Sequence, residues 1–423
     1  MLLKIIKSVN QKGFFHVLIA NLLFALVAFG SQLLVAKFLT EQELGFIKIF
    51  QSTTQILGIL AGLGFSTSLL VLAANPKNYN RKGDLFCVAL FNVIPISIVV
   101  WILFMFANYL GFSTKIDQVK ILFSDFSFIM IILAITALYT SFFQANRDFK
   151  KFSFILIVSK ILSLILIVIT TYFFGYLGFM HGLWIGLLLT LFIYAFFVKK
   201  NYGLNTNFNI SKFWDKTKEQ LKISIHGLGA NIFGNIALNI DIILLGYFYS
   251  SNPSLVGQYG FATIFITALG MFQGTIVQVS TPFFSKYINN KIILISVYKK
   301  YSLFLLIAAC LVLLLCYFTL PMMIKLFYGE KFYLGIKYLE ILLFAWFFRS
   351  LNAINISFLL GTAKTYVTNY INLIFALLNF TVIFILLNNK ASLIVVIYSI
   401  ITISLLIFIA TSILVNFKFL KNK

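Results

Sequence analysis

The 423-residue sequence predicts an all-α polytopic membrane protein, with twelve transmembrane helices in two six-helix halves. Three observations carry this reading. Hydrophobic residues make up 61% of the chain and charged residues 10%, with a mean hydropathy of +1.00. Soluble domains carry about 25% charged residues, so this chain lacks the polar surface to coat a water-soluble globule. Its apolar stretches are long and unbroken, which reads as helices and excludes the two-residue alternation of a membrane barrel. Finally, the second half repeats features of the first at a nearly constant spacing.

In chain order the spans are 14–36, 46–73, 85–110, 119–142, 152–173, 176–198, 223–249, 256–280, 302–324, 336–360, 366–388 and 392–416. The start, MLLKIIKSVNQKG, is basic. The apolar run behind it is too long for a cleavable signal and lacks an A-x-A site, so it reads as a retained first span. An even number of spans puts both termini on one side. That side carries 23 of the 33 Lys and Arg residues and the opposite side 8, with Lys160 and Arg349 inside spans. The positive-inside rule then makes both termini cytoplasmic. The net charge of +22 is accounted for by topology and attraction to anionic headgroups, not by nucleic acid. Cys87, Cys310 and Cys316 all lie in apolar runs without metal spacing and read as buried thiols.

The longest stretch outside the membrane, 199–222, divides the chain into an amino-terminal lobe (1–198) and a carboxy-terminal lobe (223–423). Phe213, Thr217 and Leu221 recur every fourth residue beside Ile210 and Trp214, which suits a short helix on the inner headgroups as well as a solvated linker. The halves match across this divide. Lys12, His16, Leu18, Ala20 and Asn21 correspond to Lys222, His226, Leu228, Ala230 and Asn231 at an offset of 210. Gly45, Gln51, Gln55, Gly58 and Gly62 correspond to Gly257, Thr263, Thr267, Gly270 and Gly274 at 212. SFFQAN (141–146) matches SFLLGT (357–362) at 216.

No protease, P-loop, nucleophile-elbow or metal-site signature is present, so chemistry would have to come from polar groups within the membrane. Asp241 is one of only eleven acidic residues. It shares a face with Gly227, Ala230, Gly234 and Ala237, whose small side chains mark a close helix contact. An ionised aspartate there costs about 2.5–3.5 kcal/mol, so it must be protonated or paired. It is either an ion-coupled switch or half of a structural ion pair. Asn231, Asn235 and Asn239 form a separate amide stripe suited to a watery cavity. Arg349 sits near the middle of span 336–360, with Asn352 and Asn355 following. A guanidinium there needs an anion, a hydrated cavity, or a salt bridge to Asp241 or Glu340. Lys160 is shallow enough to snorkel. Asn21, Ala25, Ala28 and Gln32 line one stripe of the first span, which ends near Lys37. Gln51 and Gln55 continue onto Gly58 and Gly62, and Asn369, Asn372 and Asn379 share a face. Each stripe suits either a cavity wall or polar contacts between helices. His16 and His226, at equivalent repeat positions, read as structural. Tyr247, Tyr249 and Tyr259 suit an aromatic belt at the outer interface.

DIILLGYFYSSNPSLVGQYGFA (241–262) resembles the span 7–8 signature of Wzx-type polysaccharide flippases, of the multidrug/oligosaccharidyl-lipid/polysaccharide exporter superfamily. AKFLTEQELGFIKIFQSTTQILGILAGLGFSTSLL (36–70), FFQANRDFKKFSFI (142–155) and LFYGEKFYLGIKYLEILLFAWFFRSLNAINISFLLGTAKTYV (326–367) resemble further segments of that family, in order. The resemblance implies a V-shaped, MATE-like pair of six-helix lobes in the bacterial inner membrane. It implies alternating-access transfer of undecaprenyl-diphosphate-linked repeat units, for O antigens, capsules or other envelope polymers. Partners would be that glycan, the bilayer, and polymerase and chain-length enzymes of the same route. No cofactor is implied. The diphosphate role falls to Arg349, then Lys160 and Lys37, and sugar contacts fall to Asn21, Gln32, Gln51, Gln55, Asn231, Asn235, Asn239 and Asn352. Asp241 matches the family's acidic position. Two alternatives are a cation-coupled drug antiporter of the same superfamily, which typically holds an acid in a first span that here has none, and a membrane polymerase, which usually has a large periplasmic loop.

Overall fold

The computed structural model describes residues 29–75, 78, 81–146, 149–202 and 213–416. His16, Asn21 and most of the first predicted span lie outside the described residues. Every regular element among them is a helix. Lipid offers no partner to a backbone amide, so each segment must satisfy its own. The helices are α1 (29–38), α2 (Glu41–Gly62), α3 (Phe65–Ala74), α4 (Lys82–Tyr109), α5 (Asp117–Phe126), α6 (Ile129–Ala145) and α7 (Phe149–Tyr202). They continue as α8 (Phe213–Phe248), α9 (Pro253–Lys286), α10 (Lys291–Tyr328), α11 (Tyr333–Gly361), α12 (Thr365–Asn388) and α13 (Leu393–Ile413). Among the described residues, nine helices are long and apolar enough to cross a bilayer, and the pair α5–α6, bent by 51°, makes a tenth.

Two predicted spans take a different form. The span expected at 46–73 is broken at Leu63 (φ 42°) and Gly64 (φ 72°), which separate α2 from α3. The backbone of α8 runs close against this turn, where a Cβ on Gly64 would lie 2.1 Å from the Ser224 carbonyl. Glycine alone adopts this left-handed turn without a steric cost. α7 runs for 54 residues, or about 80 Å of helix, far beyond a bilayer core of about 30 Å. It is a hairpin. Gly175 reverses it at φ 59°, ψ −142°. Beyond that point a Cβ on Gly178 would lie 2.0 Å from the Thr170 carbonyl, and one on Gly186 would lie 2.2 Å from Ser163 Oγ. The glycines let the two arms, expected as separate spans 152–173 and 176–198, close on each other.

Residues 213–222 are the first turns of α8, which runs on without interruption to Phe248. They dock on the start of α4. Lys216 Nζ lies 2.7 Å from Asp84 Oδ2, Arg81 pairs with Glu219 at 3.0 Å, and Gln220 Nε2 donates to the Leu85 carbonyl at 2.7 Å. Thr217, read as part of a headgroup-facing stripe, instead accepts from Asn92 at 3.0 Å and is buried.

The internal repeat reappears in the helix boundaries. α1 and α8 end 210 residues apart, at 38 and 248. α2 and α9 begin 212 apart, at Glu41 and Pro253. The α5–α6 pair and α11 both begin and end 216 apart. The equivalent glycines Gly45 and Gly257 meet: a Cβ on Gly257 would lie 1.7 Å from the Glu41 carbonyl, and one on Gly45 would lie 2.5 Å from the Pro253 carbonyl.

The chain divides into two compact units. One comprises the chain through Leu39 and Ile49–Asn235, with a core of Phe65, Phe86, Leu138, Phe142, Phe143 and Tyr194. The other comprises Thr40–Lys48 and Ile236–Lys423, with a core of Phe284, Tyr298, Ile354, Phe358 and Val415. α11 is the central helix of this second unit. Two thirds (67%) of its apolar window is buried, against 17% for the peripheral α10.

Candidate functional site

The site is built on α11 and lies wholly in the second unit. α9 and α11 pack side by side in a fixed register. Gln258 donates to the Lys331 carbonyl at 2.8 Å, Gln273 donates to Ser350 Oγ at 3.0 Å, and Ser280 meets Ser357 at 2.5 Å. A second network ties α11 to α10 and α13. Tyr298 donates to Asn355 Oδ1 at 2.6 Å, Asn355 Nδ2 donates to Ser412 Oγ at 2.9 Å, and Thr411 donates to Asn352 Oδ1 at 2.6 Å. These contacts fix the rotation of α11 and therefore aim Arg349.

Arg349 is partly buried. Its Nε donates to Ser404 Oγ on α13 at 3.2 Å, and its guanidinium carbon lies 5.3 Å from the Phe375 ring centroid on α12. Serine and ring hold the guanidinium by one edge and one face. Neither terminal amine, Nη1 or Nη2, donates to a described residue. Among the described residues, four N–H groups in a planar fork are thus left over, the arrangement that binds phosphate in pairs.

Asp241, on α8, is partly buried. One carboxylate oxygen accepts from the Tyr259 hydroxyl on α9, and the other accepts from the Ile242 amide at 2.8 Å. Asp241 and Arg349 form no ion pair within 4 Å, and α12 links their surroundings: Phe375 lies against the guanidinium, and Asn379, one turn on, holds the Ala237 carbonyl one turn before Asp241. One turn before Asp241, Asn379 Nδ2 donates to the Ala237 carbonyl at 2.9 Å. On α9, a Cβ added at Gly270 or Gly274 would meet no described atom within 4 Å.

The structure thus brings Arg349 and Asp241 into one cluster. It places Asn352 in the network that orients α11. The other described candidates lie in the first unit, except Asn239. Lys160 is partly buried on the first arm of α7, and Lys37 is exposed near the end of α1. Gln32 and Gln51 are partly buried and Gln55 is exposed. Asn231 donates to Thr67 Oγ1 at 3.1 Å, Asn235 donates to the Asn231 carbonyl at 3.0 Å, and Asn239 is partly buried.

Tyr259 corrects the aromatic-belt reading: it is only 1% exposed and serves as the partner of Asp241. Tyr249 donates to the Ala391 carbonyl at 3.3 Å, while Tyr247 is 40% exposed. Sequence reasoning missed Ser404 and Phe375 as well as the role of Tyr259. None of the three shares a helix with the charge it contacts, and a periodicity within one helix carries no signal of a contact between helices.

Among the solved structures that this fold resembles are two transporters of the MOP superfamily and a lipid II flippase. An inward-facing multidrug-resistance MATE transporter covers 92% of this chain and 94% of its own, at 12% identity and a TM-score of 0.70. The lipid II flippase MurJ in an inward-closed conformation covers 94% and 87%, at 16% identity and a TM-score of 0.74. A MOP-superfamily transporter from Pyrococcus furiosus covers 96% and 95%, at 13% identity and a TM-score of 0.58. The sequence profile of the polysaccharide biosynthesis protein family matches residues 11–288, more than half of the chain, and the chain belongs to that family. No curated protein sequence matches it.

Proposed function

We propose that this protein is a flippase that carries undecaprenyl-diphosphate-linked oligosaccharide units across the bacterial cytoplasmic membrane by alternating access. The observation that carries the reading is Arg349. It is a permanent cation at mid-span, held through Nε and over the Phe375 ring, with neither terminal amine donating to a described residue. A cation in lipid is retained where it meets an anion, and a diphosphate matches the two free amines. Membership in the polysaccharide biosynthesis family supports a glycan-bearing substrate. The fold shared with MurJ supports a lipid-linked one. Counting α7 as two crossings and residues 29–38 as the end of another gives twelve spans, with both termini cytoplasmic by charge. The amides at Asn231, Asn235, Asn239, Gln32, Gln51 and Gln55 remain the candidates for sugar contacts, with Lys160 and Lys37 as secondary cations.

The test is chemical. In a strain lacking the gene, undecaprenyl-diphosphate glycans are identified by mass spectrometry and their leaflet is scored by glycosidase access. Complete units trapped on the cytoplasmic side are expected, and they also name the glycan. Complete units that reach the outer leaflet but stay unpolymerised would refute the flippase reading. Absence of accumulation in a strain with an intact assembly route would turn attention to ion-coupled export of drugs.

A further inference from the structure

We propose that the outward face of the first turns of α8 is a docking surface for the anionic phospholipid headgroups of the bilayer. The segment reads FWDKTKEQLK (213–222) and has two distinct faces. Lys216, Thr217 and Gln220 are buried on the α4 side. Both charges on that side are paired, Lys216 with Asp84 at 2.7 Å and Glu219 with Arg81 at 3.0 Å. Trp214, Lys218, Lys222 and Ile225 follow the spacing of a single helical stripe, and all four are exposed. Among the described residues, the ammonium groups of Lys218 and Lys222 and the Trp214 indole N–H have no partner. Asp215 is the one exposed acid of the segment, and the two lysines outnumber it.

Two observations put this stripe at a membrane surface. First, the inner face docks at the mouth of a span. Gln220 donates to the Leu85 carbonyl, and Asn92 donates to Thr217. Leu85 opens the apolar run 85–110, and Asn92 lies about 10 Å of helix further along it. The first turns of α8 are therefore level with the start of a membrane-crossing segment. Second, the character of the stripe changes in the order that a bilayer boundary does. Ile225, 59% exposed, begins the apolar part of α8. Lys222 comes one turn before it, Lys218 one turn before that, and Trp214, 68% exposed, comes last. Acyl chains cover an isoleucine, and lysine ammonium groups reach phosphates. An indole puts an apolar ring and a polar N–H in the same layer.

The charges select the kind of lipid. Two unpaired ammonium groups on successive turns sit about 6 Å apart along the helix and match phosphodiester anions. A zwitterionic headgroup brings its own ammonium, which cancels the attraction, whereas an anionic one does not. A lysine at an anionic surface gains roughly fivefold in binding. Lys216 adds nothing to this, because Asp84 already holds it. Its pair has a different effect: with Arg81–Glu219 it fixes the rotation of α8 on α4, so the unpaired lysines stay turned outward. The inference is independent of which substrate the protein carries.

The experiment uses the full chain in nanodiscs of phosphatidylcholine, with or without phosphatidylglycerol, either lipid being brominated near its glycerol in turn. The chain has four tryptophans, so the difference between wild type and Trp214→Phe isolates the fluorescence of Trp214. That signal is expected to be quenched several-fold more, per brominated lipid, by phosphatidylglycerol than by phosphatidylcholine. Molar salt should remove most of the preference. The double variant Lys218→Gln, Lys222→Gln should unfold at the wild-type temperature in pure phosphatidylcholine, which shows that it folds. It should lose both the quenching preference and the rise in unfolding temperature that phosphatidylglycerol gives the wild type. Quenching of Trp214 by aqueous iodide but by neither brominated lipid would overturn the proposal, since the stripe would then face water or a protein partner. Equal quenching of the wild type by the two lipids would overturn it as well. So would a preference that survives in the double variant, because other cations would then be selecting the lipid.

Discussion

The α5–α6 pair and α11 occupy the same place in the repeat, 216 residues apart at both ends, and are built differently. The first is bent by 51°. At the bend Ser127 is fully buried, accepts from Trp101 Nε1 at 3.0 Å and donates to Met105 S at 3.3 Å. Its counterpart in the unbroken α11 is Leu343, buried and apolar. Arg349 has Leu133 as its counterpart, Asp241 has Ser31, and Tyr259 has Ile47. The surroundings diverge with the residues. Leu133 packs on Gly58, where a Cβ would lie 3.3 Å from the leucine Cβ, whereas a Cβ on the equivalent Gly270 would meet no described atom within 4 Å. Both copies fasten their helices with polar groups. The second also holds a charge, Arg349, where the first has Leu133.

The largest effect should come from exchanging the two ends of that comparison. Arg349→Ala, at normal membrane abundance, is expected to lower transport of lipid-linked units by on the order of a hundredfold, the scale of losing a paired charge contact. Leu133→Ala should cost about 1–3 kcal/mol of stability through the space it leaves and spare most transport. Glycan export measured in a complemented deletion strain separates them. Equal loss in both variants would mean that the arginine acts only by packing.

Much of this contrast was legible in the sequence. The apolar runs gave the membrane class, and the offsets of 210, 212 and 216 reappear at helix ends to the residue. The unusual placement of Asp241 and Arg349 marked both members of the cluster. What could not be read was a partner on another helix. Tyr259 looked like an interfacial aromatic because its own neighbours in sequence are apolar. Its partner Asp241 stands on α8, and a contact between two helices is not encoded by the spacing within either. Nor could hydropathy place the break at Gly64. It depends on how closely the Ser224 backbone approaches, and glycine occurs in these spans for other reasons as well.

The paired glycines give the next effect in size. Gly257→Ala puts a methyl on the Glu41 carbonyl at 1.7 Å, so backbone must move, and about 1–3 kcal/mol should be lost. Gly270→Ala meets nothing within 4 Å, and should gain up to about 1 kcal/mol from helix propensity. Gly270→Leu should fold as well, yet reduce transport by filling the gap on the arginine's side of the repeat. Thermal unfolding in detergent, read beside transport, checks all three. Full transport by Gly270→Leu would show that the gap is not on the substrate's route. At the bend, Ser127→Ala strands the Trp101 indole N–H and should cost about 1 kcal/mol, with transport kept.

The smallest effect concerns the loops that lead into the two copies, where Lys331 precedes α11 and Lys115 precedes α5 at the same offset of 216. Lys331 is partly buried and Lys115 is exposed. Burial pulls the Lys331 ammonium below the ordinary lysine value of 10.5, against the opposing pull of Glu41 and Glu43. The charged form is therefore the disfavoured one in the folded chain. The sign follows: the folded state gains relative to the unfolded as pH rises toward the ordinary lysine range, and that gain is lost as pH falls through the lowered value. At neutral pH the wild type carries the whole cost. Lys331→Gln should then raise the unfolding midpoint by about one degree near pH 7, and the advantage should shrink as the pH approaches 10.5. Lys115→Gln, at an exposed site, should change stability by no more than about 0.5 kcal/mol. A destabilised Lys331→Gln would mean that attraction to Glu41 and Glu43 outweighs burial. The loop would then be an electrostatic fastening for the start of α2, and the two copies would differ there in the opposite sense.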